Sequence, residues 1–181
     1  MRSTLKFLLA LGVAMLLMMA FRSLVFTIYT VGGEGLQPEF LPGDRVMVNL
    51  WSYGLSTGSR EGLFSYGRVG RQPVERGDIV AFEDPRDSTG TRVLFARCRA
   101  LPGDTLRHNG RVELVPSLND CADADYYWVQ TLNPHNPIDS RQLGFISEER
   151  IIGRVFLVAY SLMPDSSLLH AFRRDRFFLL Q

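Results

Sequence analysis

The sequence predicts a mainly β, antiparallel domain carried on one N-terminal transmembrane helix. From about residue 45 onward, short runs rich in β-branched and aromatic residues alternate with Gly, Pro and Asp turns, a pattern typical of antiparallel sheets. An apolar run covers residues 5–26. The length of 181 residues suits one anchor and one globular domain of ordinary size.

The apolar run is predicted to be a retained, single-pass membrane anchor. Its uncharged part, residues 7–21, is shorter than the roughly twenty residues that a span needs. It reaches that length through residue 28 if the Arg22 side chain snorkels to the interface. A cleaved secretory signal is the competing interpretation, but residues 18–20, Met-Met-Ala, make a poor small-x-small cleavage site.

Positive charges that precede the run set the predicted orientation. The positive-inside rule puts the N-terminus in the cytoplasm. The predicted division is therefore a cytoplasmic stub and anchor over residues 1–28 and an extracytoplasmic domain over residues 29–181. In a bacterium this corresponds to the plasma (inner) membrane, with a periplasmic domain.

Six strands are predicted within the domain, at residues 45–49, 79–82, 92–99, 112–115, 126–131 and 151–160. The segment from about residue 165 to residue 181 mixes arginines with many apolar side chains. We expect it to contact the membrane or a partner. Docking on the domain itself is the alternative.

Alternation along residues 92–99 puts Leu94, Ala96 and Cys98 on one face of the strand and Arg97 on the other. Ala96 is therefore expected to line an apolar surface. The second cysteine is Cys121, and an extracytoplasmic domain permits a disulfide between the two. A buried free thiol at Cys98 is an equal alternative.

Composition excludes several classes of function. A formal charge of +1 and a sequence pI near 7.8 provide no basic field for nucleic acid. The histidines and cysteines lack metal-ligand spacing, and phosphate or dinucleotide motifs are absent. We therefore expect no nucleic-acid partner, no metal and no cofactor.

Three segments resemble those that build the active site of type I signal peptidases. Residues 33–44, Gly-Glu-Gly-Leu-Gln-Pro-Glu-Phe-Leu-Pro-Gly-Asp, are similar to the segment that carries the nucleophilic serine. Residues 96–104 resemble the lysine segment, and residues 136–144 the Asn-Ser-x-Asp-Ser-Arg-x-x-Gly block. The sequence is identified as a divergent member of this serine/lysine-dyad family. The resemblance implies a signal-peptidase-like antiparallel β-sheet domain on a membrane anchor.

Four positions that the resemblance ties to catalysis carry unsuitable residues. Gly35 stands at the nucleophile and Ala96 at the lysine base, while Gly33 stands at an oxyanion-binding serine and Pro137 at a lysine-orienting serine. A serine protease needs a hydroxyl to attack the carbonyl. In the family, the buried lysine amine accepts the proton of the serine hydroxyl, because burial lowers the lysine pKa. Neither Gly35 nor Ala96 offers such a group, so no catalytic residue is expected.

Other positions match the family pattern and are expected to keep the scaffold. They are Pro38, Gly43, Asp44, Gly103, Asp104, Asp139, Ser140, Arg141 and Gly144. The Gly-Asp pairs suit tight turns between strands. Leu36, Leu94 and Ala96 are predicted to line any substrate cleft that remains.

The leading hypothesis is a catalytically inactive homologue at the membrane. It would bind a signal peptide or preprotein, or a partner such as an active signal peptidase or the export machinery. The alternatives are an active membrane endopeptidase with an atypical mechanism, and a purely structural anchored domain. An open apolar groove beside Gly35 and Ala96 favours peptide binding, whereas filling by Leu36, Phe40 or Phe95 favours a structural role.

Overall fold

The computed structural model describes residues 2–57, 66–108, 110–120, 122–133, 135, 138–163, 173 and 178–179. The α-helices among these residues are α1 (Arg2–Val25) and α2 (Ser140–Leu143). The strands described are β1 (Phe26–Thr30), β2 (Asp44–Asn49), β3 (Leu55–Ser56), β4 (Arg68–Val69), β5 (Ile79–Glu83), β6 (Val93–Ala100), β7 (Thr105–His108), β8 (Arg111–Leu114), β9 (Tyr126–Gln130), β10 (Ile146–Ser147), β11 (Ile151–Ser161) and β12 (Phe178–Leu179). Short 3₁₀ turns cover Leu118–Asp120 and Glu148–Arg150.

One antiparallel sheet organises the domain. Its strand order is β1-β2-β11-β5-β6-β9-β10, and β12 also pairs with β11. Strand β11 is third in this order, lies between β2 and β5, and is the longest described strand. Gly153 is required there, because a Cβ on it would lie 2.3 Å from the backbone oxygen of Asn49 on β2. The mainly β, antiparallel class predicted from the sequence is confirmed.

The sheet separates two apolar clusters. The first core cluster includes Leu36, Phe40, Val46 and Phe95. The second contains Val80, Phe82, Ala96, Cys98 and Val129, among others. Neighbouring residues of β6 therefore point into different clusters, as alternation along a strand requires.

Gly-Asp pairs form turns that share one hydrogen-bond pattern. In each, the glycine has a positive φ, which is 93° at Gly43 and 82° at Gly103, a conformation that glycine adopts without steric cost. The carboxylate then accepts from the backbone N–H three residues earlier, at 2.9 Å for Asp44 and 2.5 Å for Asp104. These local bonds explain why the pair recurs between strands.

A partly buried ionic network holds β4 and the residues that follow it. The guanidinium of Arg68 is almost fully buried and donates to the carbonyl oxygens of Gly54 and Glu148. Arg71 pairs with both carboxylate oxygens of Glu148, at 2.9 and 2.6 Å. Because its buried charges are compensated by neighbours, this network can hold β4 against the start of β11.

Helix α1 ends at Val25, and residues 26–28, which the sequence assigned to the anchor, belong to β1. Among the described residues, no helix combines the length and the apolarity that crossing a membrane requires. The predicted transmembrane helix is therefore not supported. Lys6 and Arg22 confine the uncharged stretch to the 15 residues between them.

Cys98 is a free thiol buried in the second core cluster. Burial raises its pKa to about 12. The disulfide that the sequence permitted is thus not formed by Cys98, and Cys121 lies outside the described residues. Apolar surroundings stabilise the neutral thiol, which explains its place in the core.

The C-terminal segment is described only at Arg173, Phe178 and Leu179. The backbone N–H of Arg173 donates to the carbonyl oxygen of Ser161 at 3.1 Å. Phe178 and Leu179 pair with β11. These residues dock on the domain.

Candidate functional site

Gly35 lies in the turn-rich loop of residues 31–43, between β1 and β2. Asn133, in the segment that follows β9, binds this loop through two hydrogen bonds. Its backbone N–H donates to the Gly35 carbonyl oxygen at 2.8 Å, and its Nδ2 donates to the Glu34 carbonyl oxygen at 3.1 Å. The segment after β9 is therefore attached directly to the Gly35 loop.

An ion pair joins the same loop to β6. Nη2 of Arg97 donates to both carboxylate oxygens of Glu39 at 2.8 Å. Both bonds come from one nitrogen, so the contact is a bifurcated, charge-assisted pair that holds Glu39 beside β6. Arg97 thus points away from the face that Ala96 occupies, as the alternation predicted.

An open cavity of about 310 Å³ lies beside Gly35. Gly33, Leu36, Leu94 and Phe95 also line it. Leu36 and Phe95 form its wall without filling it, and Phe40 is fully buried in the first core cluster. Cavities of this size and character are common ligand sites, at the lower end of the range of about 300–1,000 Å³.

Ala96 is not part of the cavity wall. It is fully buried in the second core cluster, opposite Val80 in the pairing of β5 with β6. Of the three residues expected to line a cleft, Leu36 and Leu94 do so and Ala96 does not. Its short methyl group is covered by neighbouring core side chains, so β6 lines the cavity with Val93, Leu94 and Phe95 and not with Ala96.

The remaining wall comes from the segment around α2. Thr131 and Ile138 line the cavity, and Pro137 lies outside the described residues. The fully buried carboxylate of Asp139 accepts hydrogen bonds from the backbone N–H and hydroxyl of Thr131, at 2.9 and 3.0 Å. The Arg141 guanidinium donates to the same carboxylate, with Nη2 at 2.6 Å.

Opposing effects set the charge state of Asp139. Burial raises the pKa of this carboxyl group, but the hydrogen bonds from Arg141 and Thr131 outweigh burial and hold the pKa below its ordinary value. Asp139 also caps α2 by accepting from the Arg141 backbone N–H. Ser140 accepts from the Val129 backbone N–H at 2.9 Å, and Gly144 ends the helix. Asp139, Ser140, Arg141 and Gly144 therefore form a structural unit next to the cavity residues Thr131 and Ile138.

Thr131 is a site residue that the sequence analysis missed. Thr131 lines the cavity, and its hydroxyl lies between Asp139 Oδ2 at 3.0 Å and Arg141 Nη2 at 3.2 Å. Because the pKa of Asp139 is lowered, its carboxylate is a weak acceptor for the proton of the Thr131 hydroxyl. The only sequence signal was the position of Thr131 at the end of a predicted strand. Among the described residues, no group of His, Cys, Asp or Glu side chains could hold a metal ion.

Comparison with known proteins assigns the class that this fold and site represent. The profile of the family described as signal peptidase, peptidase S26, matches residues 4–115, which is more than half of the chain. The chain therefore belongs to the signal peptidase family.

Two relatives illustrate the extent of the similarity. The chain is 26% identical to signal peptidase IB of Staphylococcus aureus over 209 aligned positions, covering 96% of this chain and 97% of that protein. It is 28% identical to signal peptidase I of Buchnera aphidicola over 88 positions, or 49% of this chain and 26% of that protein.

Proposed function

We propose that this chain is a signal peptidase homologue that binds a signal peptide or the cleavage region of a preprotein without cleaving it. The observation that carries this function is the open, largely apolar cavity beside Gly35. The cavity offers a surface that a peptide could occupy, while the residues at the two positions that the resemblance ties to catalysis lack reactive groups.

Cleavage by a serine/lysine mechanism has no chemical basis here. Gly35 has no hydroxyl group, and Ala96 has no amine and lies outside the cavity. The only lysine of the sequence, Lys6, is in α1. Loss of a serine nucleophile costs on the order of a millionfold in turnover in a well-studied serine protease.

Binding would use the apolar wall and the adjoining backbone. Val31, Leu36, Leu94 and Ile138 offer contacts to small apolar side chains of an extended peptide. Strand β1 ends at Thr30 on the same cavity and forms the edge of the main sheet. An unpaired strand edge beside side-chain pockets is a common way to recognise extended peptides.

We propose that α1 attaches the protein to the plasma (inner) membrane, with the domain on the periplasmic side. Its leucines and methionines are largely exposed, for example 68% for Leu16 and 59% for Met15. Exposed apolar surface of this extent calls for a specific environment. Protease protection of the domain in inverted vesicles, but not in spheroplasts, would support this orientation.

The direct test is binding of a fluorescent peptide with an Ala-x-Ala end to the detergent-solubilised full chain. Gly33→Phe is expected to weaken or abolish binding, because Gly33 lines the cavity and a Cβ there meets no atom within 4 Å, which leaves room for a ring to occupy the space that the peptide needs. Gly33→Ala is the matched control and should bind normally. Absence of binding to the unmodified protein would favour a purely structural domain.

The second candidate function is an atypical endopeptidase, favoured by the Thr131 hydroxyl at the cavity wall. Its test is incubation with a preprotein that has a small-x-small site, beside an active signal peptidase, with N-terminal sequencing of the products. We expect no cleavage by this chain. Specific cleavage that Thr131→Val removes would establish the protease and overturn the non-cleaving function.

A further inference from the structure

Arg92 brings a positive charge to the cavity wall. It directly precedes β6, and its neighbours Val93 and Leu94 line the same cavity. Its side chain is 55% exposed, so its charged end is accessible to solvent. The other charged residue in the wall is Glu34, on the Gly35 loop.

The guanidinium of Arg92 is only loosely engaged by its neighbour. Its ion pair joins Nη1 to the Asp84 carboxylate at 3.4 Å. Arg86 contacts the same carboxylate more closely, through its backbone N–H at 3.0 Å and Nε at 3.2 Å. Asp84 therefore keeps a closer cationic partner if Arg92 turns towards a ligand. A guanidinium has five N–H donors, and one pair with Asp84 leaves capacity for a second carboxylate.

We propose that the cavity selects peptides by their free C-terminal carboxylate, which pairs with Arg92 while the preceding small side chains occupy the apolar part. This inference rests on the proposed peptide binding and names its ligand class: the released end of a cleaved peptide. An uncleaved preprotein has an amide bond at the same point and offers no negative charge there. Two features together favour the released peptide over the uncleaved preprotein: the charge of Arg92, which complements the carboxylate, and the apolar wall, which accepts the side chains.

The test compares two fluorescent peptides of identical sequence that end in Ala-x-Ala, one with a free carboxylate and one amidated. Binding is measured by fluorescence polarisation on the full chain in detergent. We expect the free acid to bind about tenfold tighter, as for one charge-assisted hydrogen bond at a partly exposed site. The preference should shrink at high salt.

Variants assign the preference to Arg92. Arg92→Gln should reduce the acid-to-amide ratio to about one and leave the affinity for the amide unchanged, whereas Arg92→Lys should retain part of the preference. Arg86→Gln should lower the ratio, because Arg92 then remains as the cationic side chain paired with Asp84. Arg107→Gln is the matched control, because Arg107 lies on β7, outside the cavity wall, and its loss should leave the ratio intact. Glu34→Gln should increase affinity for the acid, since it removes a like charge from the wall.

The outcomes separate this inference from the proposed function. Equal binding of acid and amide by the unmodified protein would overturn the carboxylate selection and leave peptide binding standing. Absence of binding by either peptide would overturn both. A third peptide, amidated and ending in Glu, should bind no tighter than the amidated parent; tight binding would mean that Arg92 reads side-chain carboxylates instead.

Discussion

Placing a lysine at position 96 tests whether the catalytic base of the family could be restored in this core. Ala96 is fully buried among Val80, Phe82 and Val129. In Ala96→Lys, three further methylenes and an amine enter that cluster. We expect a large loss of stability rather than a functional base.

The expected loss of stability in Ala96→Lys has two parts. Overpacking a well-packed core costs about 1–3 kcal/mol. Full burial lowers a lysine pKa by about 3–5 units, and each unit corresponds to about 1.4 kcal/mol when the amine is charged in the unfolded state. At neutral pH the charge therefore adds about 4–5 kcal/mol, because the cost cannot exceed that of deprotonating an unfolded lysine, whose pKa is about 10.4. The sum approaches the whole stability of an ordinary domain, about 5–15 kcal/mol.

The assay is urea unfolding of the full chain in detergent, followed by tryptophan fluorescence at pH 7 and pH 10. The sign follows from proton binding: the unfolded lysine binds the proton more tightly than the folded one, so stability rises with pH in this window. Ala96→Met is the matched control, because it overpacks the same site without charge. Its loss of about 1–3 kcal/mol should not depend on pH.

Equal stability of Ala96→Lys and Ala96→Met at both pH values would refute this reasoning. It would mean that the amine reaches water, and the cavity beside Gly35 is the nearest described opening on that strand. A Gly35→Ser, Ala96→Lys variant would then become a reasonable attempt at a working dyad.

Three further predictions concern the scaffold. Gly153→Ala should lower the unfolding free energy by about 3 kcal/mol or more, since its Cβ would lie 2.3 Å from the Asn49 oxygen; urea unfolding measures this. Asp139→Asn should cost about 3–5 kcal/mol, because it leaves buried donors without their charged acceptor. The lowered pKa of Asp139 means that its contribution is present above its ordinary pKa and is lost as pH falls through the folded value, so Asp139→Asn should flatten the loss of stability below about pH 4. In a Cys121→Ser background, Cys98 should not react with a thiol reagent at pH 8 until the protein is unfolded, because burial raises its pKa to about 12; rapid reaction of the folded protein would contradict its burial.

Strands with strong alternation could be predicted from the sequence. Residues 92–99 and 151–160 were expected to be extended, and β6 and β11 occupy these places. Alternation also indicated that Ala96 and Cys98 share an apolar face, which the second core cluster confirms. In such segments the local pattern and the tertiary environment require the same conformation.

Strand β1 could not be predicted in this way. Its sequence, Phe-Thr-Ile-Tyr-Thr, follows an apolar helix without an intervening turn signal. It becomes a strand by pairing along its full length with β2, from Phe26 opposite Asn49 to Thr30 opposite Arg45. Partner strands are not encoded locally, so continuation of the helix was the more natural interpretation.

The candidate site also contains residues that could be predicted from the sequence and residues that could not. Motif positions located Gly35, Leu36 and Leu94 because they lie in or beside recognisable segments. The contributions of Thr131 and Arg92 depend on contacts between distant parts of the chain. Such contacts arise from the fold and leave no periodic signal in the sequence.

The way in which the Gly35 loop is held has an evolutionary consequence. Asn133 grips it through the carbonyl oxygens of Gly35 and Glu34, atoms that every amino acid possesses, and Arg97 secures it through Glu39. None of these attachments uses the side chain at position 35. The side chain at position 35 can therefore change in evolution while the loop keeps its place, because the attachments that hold the loop do not depend on it.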